Sequence, residues 1–203
     1  MPARRSPLAE PAAQAGRDRR GRADGRVCGA APGGSVASLV VARPPAESVL
    51  LGEPNTEAAF MLSRWDLPKP AIIADVADGA PVVIVDTNNP AELPDGINDA
   101  DIQAIIDHHK LVGGLETKGP IDIRIEPLAC TATLMWKMIG KDLAQMPTEI
   151  KGAMLSCILS DTLEFRSPTT TDVDRELATR LADELGLSIP DYAAEMFAAS
   201  VVE

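Results

Sequence analysis

Beyond residue 52 the apolar positions follow two periods. Asn55-Thr56-Glu57 precedes Ala58, Phe60, Met61, Leu62 and Trp65. A polar cap ahead of helix-spaced apolar residues predicts a helix, with Pro68 and Pro70 beyond its end. Pro81-Val82-Val83-Ile84-Val85-Asp86 is a short β-branched run that predicts a buried strand. Residues 102–106 predict a second strand, running into Asp107-His108-His109. Ile121, Ile123 and Ile125 alternate with Asp122, Arg124 and Glu126, which predicts a third strand with one wetter face. Helical spacing returns at Leu134, Met135, Trp136, Met138 and Ile139. Pro147-Thr148-Glu149 opens another helix, an acid lying near its positive end, that buries Ile150, Met154, Leu155, Ile158 and Leu159. Val173, Leu177, Leu181 and Leu185 mark an amphipathic helix, and Pro190 starts a short last one. Strands alternating with helices predict an α/β domain on a mainly parallel sheet.

Residues 1–50 follow neither period. They hold 11 Ala, 8 Arg, 6 Pro and 6 Gly, with no Phe, Trp, Tyr or His, and only 36–41 offers an apolar run. Such a segment cannot offset its ordering entropy by burial, so 1–45 is expected to be disordered or aberrant. It fits a solvated tail, a transit peptide weakened by its acids, Gly and Pro, or a GC-rich gene read in the wrong frame. Charge splits at the same place. Eight Arg against four acids give residues 1–50 a charge of +4; 11 bases against 26 acids give 51–203 a charge of −15. The acidic part argues against nucleic acid as a partner, because its surface repels phosphate backbones, and favours divalent cations. No apolar run reaches the length of a membrane span, so no membrane is expected as a partner. Three widely spaced cysteines without a C-x-x-C pair, and two histidines in all, speak against a disulfide framework or a Cys/His zinc site and fit a reducing cytoplasm.

In open α/β sheets, ligands sit beyond the carboxyl ends of the strands. Asp86-Thr87-Asn88 closes the first predicted strand, Asp107-His108-His109 the second, and Ser160-Asp161-Thr162 closes the helix opened by Pro147. A lone Asp at such a place is ordinarily a cap or turn former. Three such sites, one carrying both histidines, point instead to an oxygen-rich metal site with one imidazole. That donor set suits Mn²⁺, and Mg²⁺ or Co²⁺ less well. Two bridging carboxylates would hold cations about 3.5–4 Å apart, the spacing of two-metal phosphatases. His109 need not be a ligand: as a cation it would grip a phosphate or protonate a leaving group. The plain alternative is one structural and one exposed histidine.

These residues resemble the manganese-dependent (family II) inorganic pyrophosphatases of the DHH phosphoesterase superfamily. The matching stretches are Gly52-Glu53-Pro54-Asn55-Thr56-Glu57, Ile84-Val85-Asp86, Ile105-Ile106-Asp107-His108-His109-Lys110, Glu126-Pro127-Leu128-Ala129-Cys130-Thr131-Ala132-Thr133, and Leu159-Ser160-Asp161-Thr162 with Phe165-Arg166-Ser167-Pro168-Thr169. Order and spacing both fit, over about 46–199. The resemblance implies a doubly wound, mainly parallel DHH domain that hydrolyses pyrophosphate to two phosphates with two Mn²⁺ per complete site, and a homodimer. It implies that Asp86 and Asp161 bridge the metals, that His108 ligates one of them, and that His109 is the catalytic, substrate-binding residue near the bridging or leaving oxygen. Lys110 and Arg166 lie near these motifs as sources of positive charge.

The likeness is incomplete at both ends. The family begins with a strand and a His-x-x-Pro-Asp-x-Asp loop that supplies one His and two Asp ligands, yet no histidine precedes His108. Residue 87 is Thr where many members carry His. A second lobe, whose Lys and Arg groups bind the substrate phosphates, is also expected to be absent. The sequence therefore predicts a partial DHH domain over 46–199, lacking its first strand, loop and helix, with 200–203 a truncated end. It predicts an exposed sheet edge where the first strand would pair. It also predicts little or no pyrophosphatase activity, since lost ligands or their supports commonly cost roughly 10–100-fold each. Frameshifted or misread ends on a pyrophosphatase gene would explain both gaps. Two other readings use the same residues: a DHH phosphodiesterase acting on short oligonucleotides or cyclic dinucleotides, and a non-catalytic remnant.

Overall fold

A computed structural model describes residues 38–41, 47–140 and 145–199. The expectations for 1–37 and 42–46, and for 200–203, fall outside those residues. Six strands form one sheet: β1 (Ser38–Val41), β2 (Ser48–Leu50), β3 (Ala71–Ile72), β4 (Pro81–Val85), β5 (Asp101–Asp107) and β6 (Asp122–Ile125), in the order β3-β2-β1-β4-β5-β6. β2 runs parallel to β3, β4 to β5 and β5 to β6, while β1 is antiparallel to both its neighbours. The sheet is thus mainly parallel, with one reversed strand inside it.

That strand changes one expectation. The edge left open by a missing first strand is closed in the described sheet: Leu39 pairs in register with Val49 on one side and Ile84 on the other. Ser-Leu-Val-Val is the one β-prone run of its segment, and strands inside a sheet leave no backbone donor or acceptor unpaired. At the far edge, β6 departs from its alternation. All four of its residues are at least partly exposed, and Ile123 is 52% exposed, because the strand lies at the edge of the described sheet, paired with β5 alone.

The helices are α1 (Thr56–Arg64), α2 (Thr131–Ile139), α3 (Thr148–Thr162), α4 (Asp172–Leu185) and α5 (Ile189–Ala199). α1 forms the crossover between β2 and β3, capped by Asn55, whose side chain accepts the Ala58 N–H at 2.8 Å. α3 is buried on every side, packed against α1, α2, α4 and α5. Gly152 makes that possible: a Cβ there would lie 2.0 Å from the Trp65 ring. Trp65 Nε1 donates to the Tyr192 hydroxyl at 2.8 Å, which tethers α1 to α5. Leu155, Ile158, Leu159, Leu177, Leu181 and Met196 form the helical core, each contributing about 1.5–3 kcal/mol by burial. Val82, Ile84, Ile97, Ile102 and Ile105 form a second core at the sheet, joined by Leu93 from the turns after β4.

β4 and β5 are parallel neighbours, so their carboxyl ends emerge side by side, and the Asp86 N–H donates to Ile106 O at 2.9 Å. The fold thereby brings two of the acidic motifs to one rim. No helix among the described residues is long and apolar enough to cross a membrane.

Candidate metal centre

Asp86 caps β4 in a left-handed conformation, φ 70°, which costs a non-glycine residue about 1–3 kcal/mol. Its carboxylate is buried, and Oδ1 accepts the Thr131 hydroxyl at 2.7 Å. Burial pushes the Asp86 carboxyl above its ordinary pKa, against the lowering pull of Thr131, His108 and His109.

The triplet at the end of β5 divides its labour. Asp107 is fully buried and accepts from the His108 and His109 N–H groups, from His109 Nδ1 at 2.8 Å and from Asn88 Nδ2 at 2.6 Å. Burial alone would raise it, but those hydrogen bonds, His109's first, hold its pKa down to about 2. An ionised carboxylate only accepts, so His109 Nδ1 carries the proton. This bond is also the main reason the His109 pKa is raised. His108 Nδ1 lies 3.0 Å from Leu128 O, again an acceptor only. Its Nε2 lone pair is therefore turned toward Asp86 Oδ1, 3.6 Å away.

Asp86, His108 and His109 offer ligand atoms within 4.8 Å of one another. Asp161, in the last turn of α3, does not join that trio at this spacing. It does share its electrostatics: burial and then the Asp86 charge raise the Asp161 pKa to about 7, against the lowering pull of the Cys130 side chain and then of His109. Its Oδ2 is inaccessible and has no hydrogen-bond partner. The partnerless Asp161 oxygen, the buried Asp86 carboxylate and the His108 Nε2 that faces it are all acceptors of the kind a cation takes. These residues fit a divalent metal that takes oxygen and imidazole ligands.

Some nearby residues are otherwise engaged. Thr87 donates to Glu92 Oε2 at 2.5 Å and accepts the Asn89 N–H, closing the turn after β4. Arg166 donates to Leu163 O and lies over the Phe197 ring. The turn that follows Asp161 holds three successive left-handed residues, Leu163, Glu164 and Phe165, fixed by bonds such as Ser167 N to Thr162 O at 2.8 Å. Sequence reasoning missed Asn88 and Thr131 as supports. Asn88 was legible only as part of a turn, yet it is 2% exposed and clasps Asp107, Lys110 O and the Val112 N–H together.

The model of the DHH family, N-terminal domain, matches residues 23–160. A Lactobacillus acidophilus protein named as a manganese-dependent inorganic pyrophosphatase is 38% identical over 154 residues, 75% of this chain and 49% of the relative. One of the same name from Oceanobacillus iheyensis is 39% identical over 151 residues, 74% and 49% of the two chains. The crystal structure of a Methanococcus jannaschii protein assigned to the family II inorganic pyrophosphatases superposes with a TM-score of 0.69 at 33% identity, covering 75% of this chain and 52% of that one. This chain spans about half the length of the relatives it matches. Its matched stretch exceeds half of its own length and includes the strand whose end carries Asp107-His108-His109, so the chain belongs to the DHH family.

Proposed function

We propose that this chain hydrolyses pyrophosphate to two phosphates at a manganese site held by Asp86, His108 and Asp161, with His109 against the substrate. The observation that carries the proposal is the meeting of Asp86 and the His108 lone pair at one rim, coupled to an Asp161 oxygen that no protein donor satisfies. The names of the relatives support it. Bound there, a divalent cation supplies Lewis acidity, activating water and neutralising phosphoryl oxygens.

The remaining roles follow from the protein's own groups. Leu128 O fixes the His108 tautomer and Thr131 orients the Asp86 carboxylate. Asp107 steadies His109 and favours its protonated form, so Nε2 holds a proton for the leaving phosphate. The 48% exposure of the His109 side chain leaves that proton accessible. Both histidines of the sequence lie in the triplet, so turnover weaker than that of a full ligand set is part of the proposal. So are a cytoplasmic location and a homodimer.

Calorimetry with Mn²⁺, followed by phosphate release from pyrophosphate with a cyclic dinucleotide as comparator, tests the reading. Saturable Mn²⁺ binding and slow release from pyrophosphate are expected. Cleavage of the dinucleotide alone, or Mn²⁺ binding unaltered by Asp86→Asn, would overturn it.

A further inference from the structure

We propose that Asp174 is a positioning residue for the metal centre, acting through residues 128–131, where the loop after β6 enters α2. The proposal rests on reading Asp86 and His108 as ligands, and adds a residue that no motif of the site contains.

Asp174 sits in the first turn of α4 with its side chain fully buried. Oδ2 accepts three donors: Thr171 N at 2.9 Å, Thr171 Oγ1 at 2.6 Å and Ala129 N at 3.1 Å. The first, with the Asp174 N–H donating to Thr171 Oγ1 at 3.3 Å, closes the helix's capping box, and the second ties the same two side chains together, a local task that ordinarily leaves the acid in water. The third does nothing for the helix. It reaches back 45 residues to a loop that has no secondary structure to hold it.

That loop and the first residue of α2 that follows it carry both supports of the proposed ligands. Leu128, one residue before Ala129, presents the carbonyl that accepts the hydrogen bond from His108 Nδ1–H. Thr131, two residues after it, presents the hydroxyl bonded to Asp86. One carboxylate oxygen thus pins the midpoint between two groups that must stay in place together. The other oxygen, Oδ1, is inaccessible and has no hydrogen-bond partner. Burying a carboxylate in this way is costly, and a capping box alone does not require it.

Three proteins test the proposal: the wild type, Asp174→Ala, and Thr171→Val, which removes the capping hydroxyl but leaves the Asp174–Ala129 bond. Asp174→Ala is expected to shift the His108 imidazole ¹⁵N resonances away from the Nδ1–H pattern and to weaken Mn²⁺ binding roughly 10–100-fold. Thr171→Val is expected to lower the denaturation midpoint and leave both readouts at wild-type values. Wild-type ¹⁵N shifts and affinity in Asp174→Ala, or equal changes in Thr171→Val, would overturn it. If Asp174→Ala does not fold, amide exchange in the wild type decides: a protected Ala129 N–H is expected, and an unprotected one rejects the proposal. Pyrophosphate turnover enters none of these readouts, so an inactive chain would count against the function alone.

Discussion

The two sides of the candidate centre meet their electrostatic needs in different ways. On the strand side, Asp107 is fully buried, yet donors from His108, His109 and Asn88 hold it ionised. On the helix side, Asp161 and Asp174 each keep one inaccessible carboxylate oxygen without a partner. Asp161 is pushed toward its protonated form, where Asp107 is pulled away from it. The contrast separates frame from receptor. Asp107 is complete as protein, and Asp161 is where an added cation changes most.

The sharpest way to break this division is His109→Gln. It is expected to cut phosphate release roughly 10²–10⁴-fold while calorimetry finds Mn²⁺ affinity little changed. A matching loss of affinity would move His109 among the ligands. Asp161→Asn is expected to weaken Mn²⁺ binding roughly 10–100-fold or more without destabilising the chelated protein. Asp107→Asn is expected to do the reverse in urea unfolding, costing about 1–3 kcal/mol because its donors lose a charged acceptor. Equal destabilisation by the two substitutions would erase the distinction.

A finer test is pH. Free Asp titrates at about 4 in the unfolded chain. Folded Asp161 keeps its proton to about 7, so the folded state binds more protons between those values and metal-free stability falls as pH rises from about 4 to 7. Folded Asp107 gives up its proton at about 2, so its contribution is present above about 4 and lost as pH falls toward 2. Urea midpoints in chelator across that range are expected to fall on both flanks. Asp161→Asn would flatten the upper flank and Asp107→Asn the lower. The smallest effect belongs to Thr131→Val, about 1 kcal/mol of stability for one hydrogen bond to Asp86.

The elements that carry this centre were legible in the sequence because their signals are local. Asn55 and the apolar spacing behind it mark α1, and the run from Pro81 marks β4. The spacing of Leu134, Trp136 and Ile139 marks α2. Asp86 and His108 do meet at one rim, as two strand ends in a parallel pair must. What stayed hidden depends on distant partners. Asp174 stands in an amphipathic pattern next to Val173, where periodicity assigns the burial to Val173, and its reason for being inside lies 45 residues away. β1 lies in a stretch whose composition argues against any ordered element; its pairing with β2 and β4 comes from the rest of the sheet. Ile123 follows the alternation of a half-buried strand, but position at the sheet edge decides its exposure.

The reversed strand has a kinetic meaning as well. β3 and β2 form one parallel leaf and β4, β5 and β6 another, and the four residues of β1 are the spine between them. If that spine lifts, β2 and β4 each lose one partner in a single event, whereas β2 stays paired with β3 and β4 to β6 with one another. The two leaves would then exchange hydrogen with solvent at the spine through one shared opening, like pages released by the same binding, while the rim bearing Asp86 and Asp107 stays closed.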